Sequence, residues 1–179
     1  MKDRYNLLIL DALEYFINNP NDEIHLRGFS RKLNMSINSI QRFLNLFLRE
    51  GLIKEQKKAN LRYFRANLDS IVFRNIKITY SLKKIQDSNL LNFLKERYSN
   101  VVLFGSIAKG VDDTESDLDM VCIGNKKKYD LYEFEKKLGR EINLHVFDLE
   151  QWSKTKMNNK AFYQDVISNG INLIGEKII

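Results

Sequence analysis

The chain has very little of the residue that cross-links secreted domains: its 179 residues include one cysteine, Cys122. A lone cysteine cannot form a disulfide within the chain, so a disulfide scaffold is excluded. No apolar run approaches the roughly eighteen residues of a membrane-spanning helix, and the N-terminus has no signal-peptide pattern. We therefore expect a cytoplasmic protein with no membrane partner, in which Cys122 is a small buried core residue.

Histidine is also scarce, because His25 and His145 are isolated and no Cys/His cluster indicates zinc. Hydrophobic residues make up 44% of the chain, which is enough for a packed core and argues against disorder. The formal charge of +6 suits a polyanionic partner, although many soluble proteins are equally basic. The length permits one medium domain or two small ones.

Two short apolar runs, residues 101–104 and 120–123, have the length and β-branched content of strands. The first run ends at Gly105 and Ser106, and Lys109 follows shortly after. A glycine lets backbone N–H groups approach a phosphate, a serine adds a hydroxyl donor and a lysine adds positive charge. The pattern is typical of a phosphate-binding turn.

Asp117 and Asp119 come just before the second run, so the predicted strand opens with an Asp-x-Asp motif. Alternate residues of a strand point to the same face, so the two carboxylates are expected to project together. Neighbouring carboxylates repel unless a cation lies between them, and Mg²⁺ prefers such oxygen ligands. A phosphate-binding turn beside a metal-binding pair indicates phosphoryl transfer.

These motifs resemble the minimal nucleotidyltransferases of the DNA-polymerase-β superfamily over residues 89–179. The resemblance implies that Gly105 and Ser106 bind the β- and γ-phosphates of an NTP, with ATP the expected nucleotide and Lys109 assisting. It also implies that Asp117 and Asp119 hold one or two Mg²⁺ ions and are the catalytic residues.

The family pattern includes a third carboxylate on a later strand, where this chain differs. The matching strand is predicted at residues 141–147, and the aligned position is Asn143. An amide can coordinate a cation through its oxygen, but it cannot take a proton. Glu141 and His145 share the parity of Asn143, so the sequence leaves open which of the three completes the site, and whether the site is active.

The first part of the chain is predicted to contain three helices, at residues 5–18, 26–33 and 37–50, with Ser36 as the N-cap of the third. The first helix is predicted from an apolar stripe of Leu7, Leu10, Leu13 (or, on the alternative stripe, Ile17) and Phe16. The expected buried stripe of the third helix is Ile37, Ile40, Leu44 and Phe47. Its opposite stripe is polar, with Asn38, Gln41, Arg42, Asn45 and Arg49.

Two strands are predicted next, at residues 52–56 and 61–66, with residues 57–60 forming a basic hairpin tip. This order resembles the winged helix-turn-helix of bacterial and archaeal regulators, in which the third helix enters the major groove of DNA. The resemblance implies that bases are read by Asn38, Ser39, Gln41, Arg42 and Asn45. Phosphates would be neutralised by Lys54, Lys57, Lys58, Arg62 and Arg65. A solvated helix face and an ordinary basic turn explain the same pattern, and winged helices also serve as docking or dimerisation modules.

A helical connector is predicted at residues 70–88, between a winged-helix domain at residues 1–69 and a nucleotidyltransferase-like domain at residues 89–179. Its apolar positions, including Ile71 and Ile85, exceed what a free linker needs. We therefore expect the connector to pack against a domain or against a second copy of the chain. A homodimer is favoured, because it would place two recognition helices on one DNA face.

The predicted fold class is α+β, with a winged helix-turn-helix followed by a small polymerase-β-like sheet that has helices on one side. The predicted function is metal-dependent transfer of NMP from an NTP to a hydroxyl acceptor, coupled to DNA binding. The alternative is a DNA-binding regulator or antitoxin-like protein whose transferase module only binds nucleotide or is inactive. Family resemblance also allows a small helical partner protein.

Overall fold

The computed structural model describes the backbone of residues 2–178 and the side chains of residues 8–178. The chain forms two compact units that divide between Asn75 and Ile76, and each has its own sheet. This mixture of helices and small sheets agrees with the predicted α+β class. The elements up to the division are α1 (Lys2–Asn18), β1 (Ile24–His25), α2 (Leu26–Lys32), α3 (Ile37–Arg49), β2 (Ile53–Lys58), β3 (Leu61–Ala66) and the start of α4 (Ile71–Asp87). The later elements are α5 (Leu90–Lys95), β4 (Asn100–Leu103), α6 (Gly105–Lys109), β5 (Leu118–Ile123), α7 (Tyr132–Leu138), β6 (Ile142–Phe147), α8 (Leu149–Asn158), α9 (Lys160–Asn169) and β7 (Ile171–Ile174).

The core of the first unit is rich in phenylalanine. Phe16 of α1 packs against Phe29 of α2 and Phe47 of α3, with ring centroids 5.2 and 6.3 Å away. Aromatic pairs at these separations add to the stabilisation that burial provides. The predicted N-cap of α3 is confirmed, since the Ser36 hydroxyl accepts a hydrogen bond from Ser39 N at 3.1 Å. The three helices are thereby held around one apolar centre.

Two apolar residues of the predicted stripes are not buried. Leu10 is 59% exposed and Ile37 is 46% exposed, whereas the buried stripe of α3 includes Phe43. Leu10 lies off the face of α1 that buries Ala12 and Phe16, and Ile37 is the first residue of α3. The side chain of Leu7 lies outside the described residues.

The hairpin differs from the prediction in where it turns. β2 and β3 pair from Ile53 opposite Ala66 to Lys58 opposite Leu61, which leaves a two-residue turn at Ala59 and Asn60. Lys57 and Lys58 therefore lie in the strand ladder and not in the tip. The short strand β1, which pairs with β3, was not predicted because two residues are too few for a periodic pattern.

The second unit is built on a four-stranded sheet in the order β6-β5-β4-β7. β4 is antiparallel to both β5 and β7, and β5 is parallel to β6. Alternating residues of these strands enter two separate apolar clusters, one packed with α5 and α7 and the other with α8 and α9. Helices thus cover both faces of the sheet, and the expectation of helices on one side only is wrong.

The helix break predicted near residue 88 is present, because α4 ends at Asp87 and α5 begins at Leu90. Asn89 makes the break with a left-handed φ of 69°, a conformation that asparagine tolerates well. Ile85 is buried as the connector pattern predicted, whereas Ile71 is exposed.

Cys122 is buried in β5, as predicted, and burial raises the pKa of its thiol to about 12. Across the described residues, no helix combines the length and the apolar character needed to cross a bilayer.

Candidate functional site

The two aspartates of the Asp-x-Asp motif lie together at the start of β5. The parallel register of β5 and β6 places Asp119 beside Asn143. Asn143 Nδ2 donates to Asp117 Oδ2 at 2.9 Å and lies 3.4 Å from Asp119 Oδ1. One amide nitrogen therefore lies between two carboxylates. The strand alternation read from the sequence predicted this convergence.

The bend that follows β4 lies next to the two aspartates. Phe104 N donates to the main-chain oxygen of Asp119 at 3.0 Å, so Gly105 follows directly beside the aspartate. Gly105 has a φ of +77°, and a Cβ atom at this position would lie 2.8 Å from Asp119 Oδ2. Only glycine allows both this backbone conformation and this close approach. The bend and the carboxylate pair thus form one site.

Ser106 and Lys109 lie on the short helix α6, which begins at this bend. The Lys109 ammonium does not point to an open phosphate position but contacts Asp165 of α9, with Nζ 2.7 Å from Oδ1. The hydrogen bond from Lys109 lowers the pKa of Asp165, and a second one from Asn169 adds to this effect. To assist a phosphate, Lys109 would have to leave Asp165. No local sequence pattern indicated this partner, which lies on a later helix.

The three candidates for completing the site have different surroundings. Asn143 faces both carboxylates, whereas His145 Nε2 lies 3.9 Å from Asp119 Oδ1 and is 43% exposed. The His145 ring contacts Phe104 and Phe162, with centroids 5.2 and 5.9 Å away. Glu141 contributes its main-chain oxygen to Leu118 N, and its side chain is exposed. Asn143 is therefore the residue that bridges the pair.

The donor set fits a hard divalent cation such as Mg²⁺. Asp117 and Asp119 would supply carboxylate oxygens, and Asn143 would supply its amide oxygen after rotation of the amide group. Among the described residues, no three His, Cys, Asp or Glu side chains converge as a metal site. Two carboxylates leave most positions of an octahedral ion for water and ligand oxygens, as Mg²⁺ sites usually do.

The polar face of α3 forms a second candidate surface, in the first unit. Asn38, Arg42 and Asn45 are exposed, and Gln41 Nε2 donates to Asn45 Oδ1 at 2.9 Å. Ser39 is less available, because its hydroxyl shares a hydrogen bond with Ser36.

Several of the positively charged side chains of the hairpin form salt bridges with Asp or Glu side chains. Lys58 contacts Glu23, Lys54 contacts Asp69, and Arg62 holds Glu55 through two bonds of 2.5 and 2.6 Å. The hydrogen bond from Arg62 lowers the pKa of Glu55. These pairs reduce the positive charge that the wing presents, an effect that the one-dimensional charge pattern did not reveal.

A groove of about 790 Å³ lies between α2, the start of α3 and the hairpin turn. Its walls include Arg27, Arg31 and Arg62 together with Gln41, and none of the lining residues among those that the structure describes is acidic. Sequence reasoning missed Arg27 and Arg31, because α2 was read only for its apolar spacing. The groove gives the predicted DNA-binding residues Gln41 and Arg62 two additional cationic neighbours.

Replacing Gly105 by alanine tests the close approach of the bend to Asp119. Gly105→Ala and Gly139→Ala both put alanine at a left-handed φ, of +77° and +69°, so each should lose about 1–2 kcal/mol of unfolding free energy. Only at Gly105 does the new methyl group displace the Asp119 carboxylate, because nothing lies within 4 Å of a Cβ at Gly139. We expect Mn²⁺ affinity, measured by electron paramagnetic resonance, to fall at least about tenfold in Gly105→Ala alone. Equal Mn²⁺ affinities in the two variants would contradict this site.

The comparisons with known proteins concern the second half of the chain. Residues 87–167 match the family model described as the nucleotidyltransferase domain. No curated protein matches the chain. The matched residues include the bend at Gly105, both aspartates and Asn143. The match therefore supports a domain of the nucleotidyltransferase superfamily over residues 87–167 of this chain.

Proposed function

We propose that the protein is a metal-dependent nucleotidyltransferase that moves NMP from an NTP, with ATP the expected donor, to a hydroxyl acceptor. The observation that carries this proposal is the convergence of Gly105, Asp117 and Asp119 at one place within the residues that match the family. A phosphate-binding turn beside two carboxylates has the parts that phosphoryl transfer needs.

In the proposed reaction, the acceptor oxygen forms a bond to the α-phosphorus while the bond from that phosphorus to the α,β-bridging oxygen breaks and pyrophosphate leaves. The proton of the acceptor hydroxyl passes to solvent water, since an amide at position 143 cannot take it. Backbone N–H groups at the bend and the Ser106 hydroxyl would hold the β- and γ-phosphates. Asp117 and Asp119 would hold Mg²⁺, which when bound stabilises negative charge on the phosphates. Lys109 would add a positive charge if it exchanged Asp165 for a phosphate oxygen.

Asn143 favours a second candidate function, a DNA-binding regulator whose transferase module binds nucleotide without reacting. The amide occupies the position of the third carboxylate in the family pattern, and it cannot accept the proton that the attacking hydroxyl releases. In that case Asp117, Asp119 and Gly105 would still bind a metal–nucleotide complex. The two functions differ in whether NMP leaves the site on an acceptor.

We also propose that the first unit is a winged helix-turn-helix that binds DNA. The order of α1, β1, α2, α3 and the β2–β3 hairpin supports this, as does the exposed amide and arginine face of α3. Asn38, Gln41, Arg42 and Asn45 carry groups that read base edges, with Ser39 beside them. Lys57, Lys58 and the arginines of the groove would contact phosphates.

The remaining partners rest on the family resemblances. A homodimer would place two copies of α3 on one face of the DNA, which is how paired winged helices double their contact. A small helical protein is a second partner that the nucleotidyltransferase resemblance implies.

Label transfer from α-labelled ATP tests the enzyme directly. With Mg²⁺ and candidate protein, RNA and small-molecule acceptors, the parent should transfer label, and Asp117→Ala/Asp119→Ala should lose at least about a thousandfold in rate, because two metal ligands are gone. The matched control Asp87→Ala/Glu150→Ala removes two exposed carboxylates of the same unit, each paired with a lysine four residues away, and should keep the parent rate.

A third arm, Asn143→Asp, separates the two candidate functions. If the protein is an active enzyme, it transfers label with Asn143 in place. If the parent binds the ATP–Mg²⁺ complex without transfer and Asn143→Asp gains transfer, the regulator is supported and the parent is not an enzyme. Absence of both nucleotide binding and transfer in the parent would contradict both.

Salt-dependent duplex binding tests the first unit. Each phosphate contact contributes about 0.9 to the slope of log affinity against log salt, so Arg27→Ala/Arg31→Ala should lower that slope by about 1.8. The control Lys136→Ala/Lys137→Ala removes the same charge from α7 and should leave the slope unchanged. Fluorescence anisotropy with a labelled duplex between 50 and about 200 mM salt measures both. Equal slopes in the two variants would contradict a phosphate-binding role for the groove.

A further inference from the structure

The segment between the bend and the first aspartate is held by a buried ion cluster. Asp112 lies in this segment and is 1% exposed, as is Lys77 of α4. Lys77 Nζ lies 3.3 Å from Asp112 Oδ1, and Arg140 Nη2 donates to Asp112 Oδ2 at 2.8 Å. Charges this deeply buried are retained only when they are paired and hydrogen-bonded.

Arg140 connects this cluster to the aspartate pair. Its second nitrogen, Nη1, donates to the main-chain oxygen of Ser116 at 2.8 Å, and Ser116 directly precedes Asp117. Arg140 also lies just before β6, where Leu118 N donates to the oxygen of Glu141 at 2.9 Å. The Arg140 guanidinium therefore contacts the segment near its start, at Asp112, and near its end, at Ser116. Arg140 itself lies next to the strand that carries Asn143.

The segment is also fixed from within. Asp113 Oδ1 accepts from Glu115 N at 3.1 Å and from the Ser116 hydroxyl at 2.9 Å, while Asp113 N donates back to the Ser116 hydroxyl oxygen at 3.0 Å. The hydrogen bond from Ser116 lowers the pKa of Asp113. Burial lowers the pKa of the Lys77 ammonium, and the Asp112 carboxylate opposes this by favouring the charged form.

We propose that Arg140 and Lys77 act through Asp112 as positioning residues, which hold residues 110–117 so that the Asp117 carboxylate faces Asp119. For the role of Asp117 this rests on the proposed function. Lys77 and Arg140 contact Asp112, and Arg140 also contacts the main-chain oxygen of Ser116, so their effect on Asp117 passes through the backbone of the segment.

The test variant is Arg140→Lys. Lysine keeps a positive charge near Asp112 but presents its donors from one nitrogen, so it does not reproduce the fixed two-nitrogen contact of Arg140 with Asp112 and the Ser116 oxygen. The matched control is Arg97→Lys, since Arg97 also donates to a main-chain oxygen, that of Phe93, and pairs with a carboxylate, that of Glu96. Arg97 does not contact the segment in the described structure.

Hydrogen–deuterium exchange measures the position of the segment without turnover. We expect amide exchange of residues 111–118 to rise at least about tenfold in Arg140→Lys, with other peptides of the second unit unchanged, and to stay at the parent level in Arg97→Lys. Mn²⁺ affinity should fall about tenfold in Arg140→Lys, and kcat should fall similarly while KM for the NTP stays within about twofold.

A uniform rise in exchange across the second unit, or an unchanged segment, would overturn the proposal, because Arg140 would then have only a general structural role. The double variant Lys77→Met/Asp112→Asn removes the buried charge pair together and avoids leaving one charge unpaired. It should raise segment exchange at least about threefold, and parent-level exchange would overturn the role of Lys77. If the parent neither binds Mn²⁺ nor transfers label, the proposed function fails, and the exchange data still decide the positioning.

Discussion

The carboxylates of Asp117 and Asp119 lie close together and repel each other, and the candidate site depends on how that repulsion is balanced. In this protein the Asn143 amide lies between Asp117 and Asp119 and offers N–H donors to both. A divalent cation would balance the pair more strongly, with the amide turned to present its oxygen. The amide can therefore stabilise the pair without metal and serve as a ligand with it. A third carboxylate would instead add to the repulsion in the metal-free state.

Strand pairing in the sheet positions the residues that surround the two aspartates. Pairing of β4 with β5 brings Gly105 against Asp119, and pairing of β5 with β6 brings Asn143 to the other side. Each neighbour is fixed by main-chain hydrogen bonds, which makes the site rigid at its base. The segment that carries Asp117 is not part of a strand, and it depends on the buried cluster around Asp112 for its position.

Local patterns predicted much of this arrangement. The parity of Asp117 and Asp119, the turn at Gly105 and the Ser36 cap each depend on neighbours within a few residues, and the structure has them as expected. Contacts across the fold could not be predicted in the same way. Lys109 pairs with Asp165, which is 56 positions later in the chain, and no local pattern encodes that choice. The exposed Leu10 and Ile37 show the same limit, since helical spacing alone does not determine which apolar residues the rest of the fold covers.

A crystal structure with Mg²⁺ and a nonhydrolysable ATP analogue tests the central claim most directly. It shows in one experiment what lies between the two carboxylates and where the phosphates bind. The account predicts a cation bound by Asp117 and Asp119, phosphate oxygens at the bend of Gly105 and Ser106, and the Asn143 amide oxygen turned to the ion. An amide nitrogen still bonded to both aspartates, with the nucleotide bound elsewhere or no cation between the carboxylates, would contradict it.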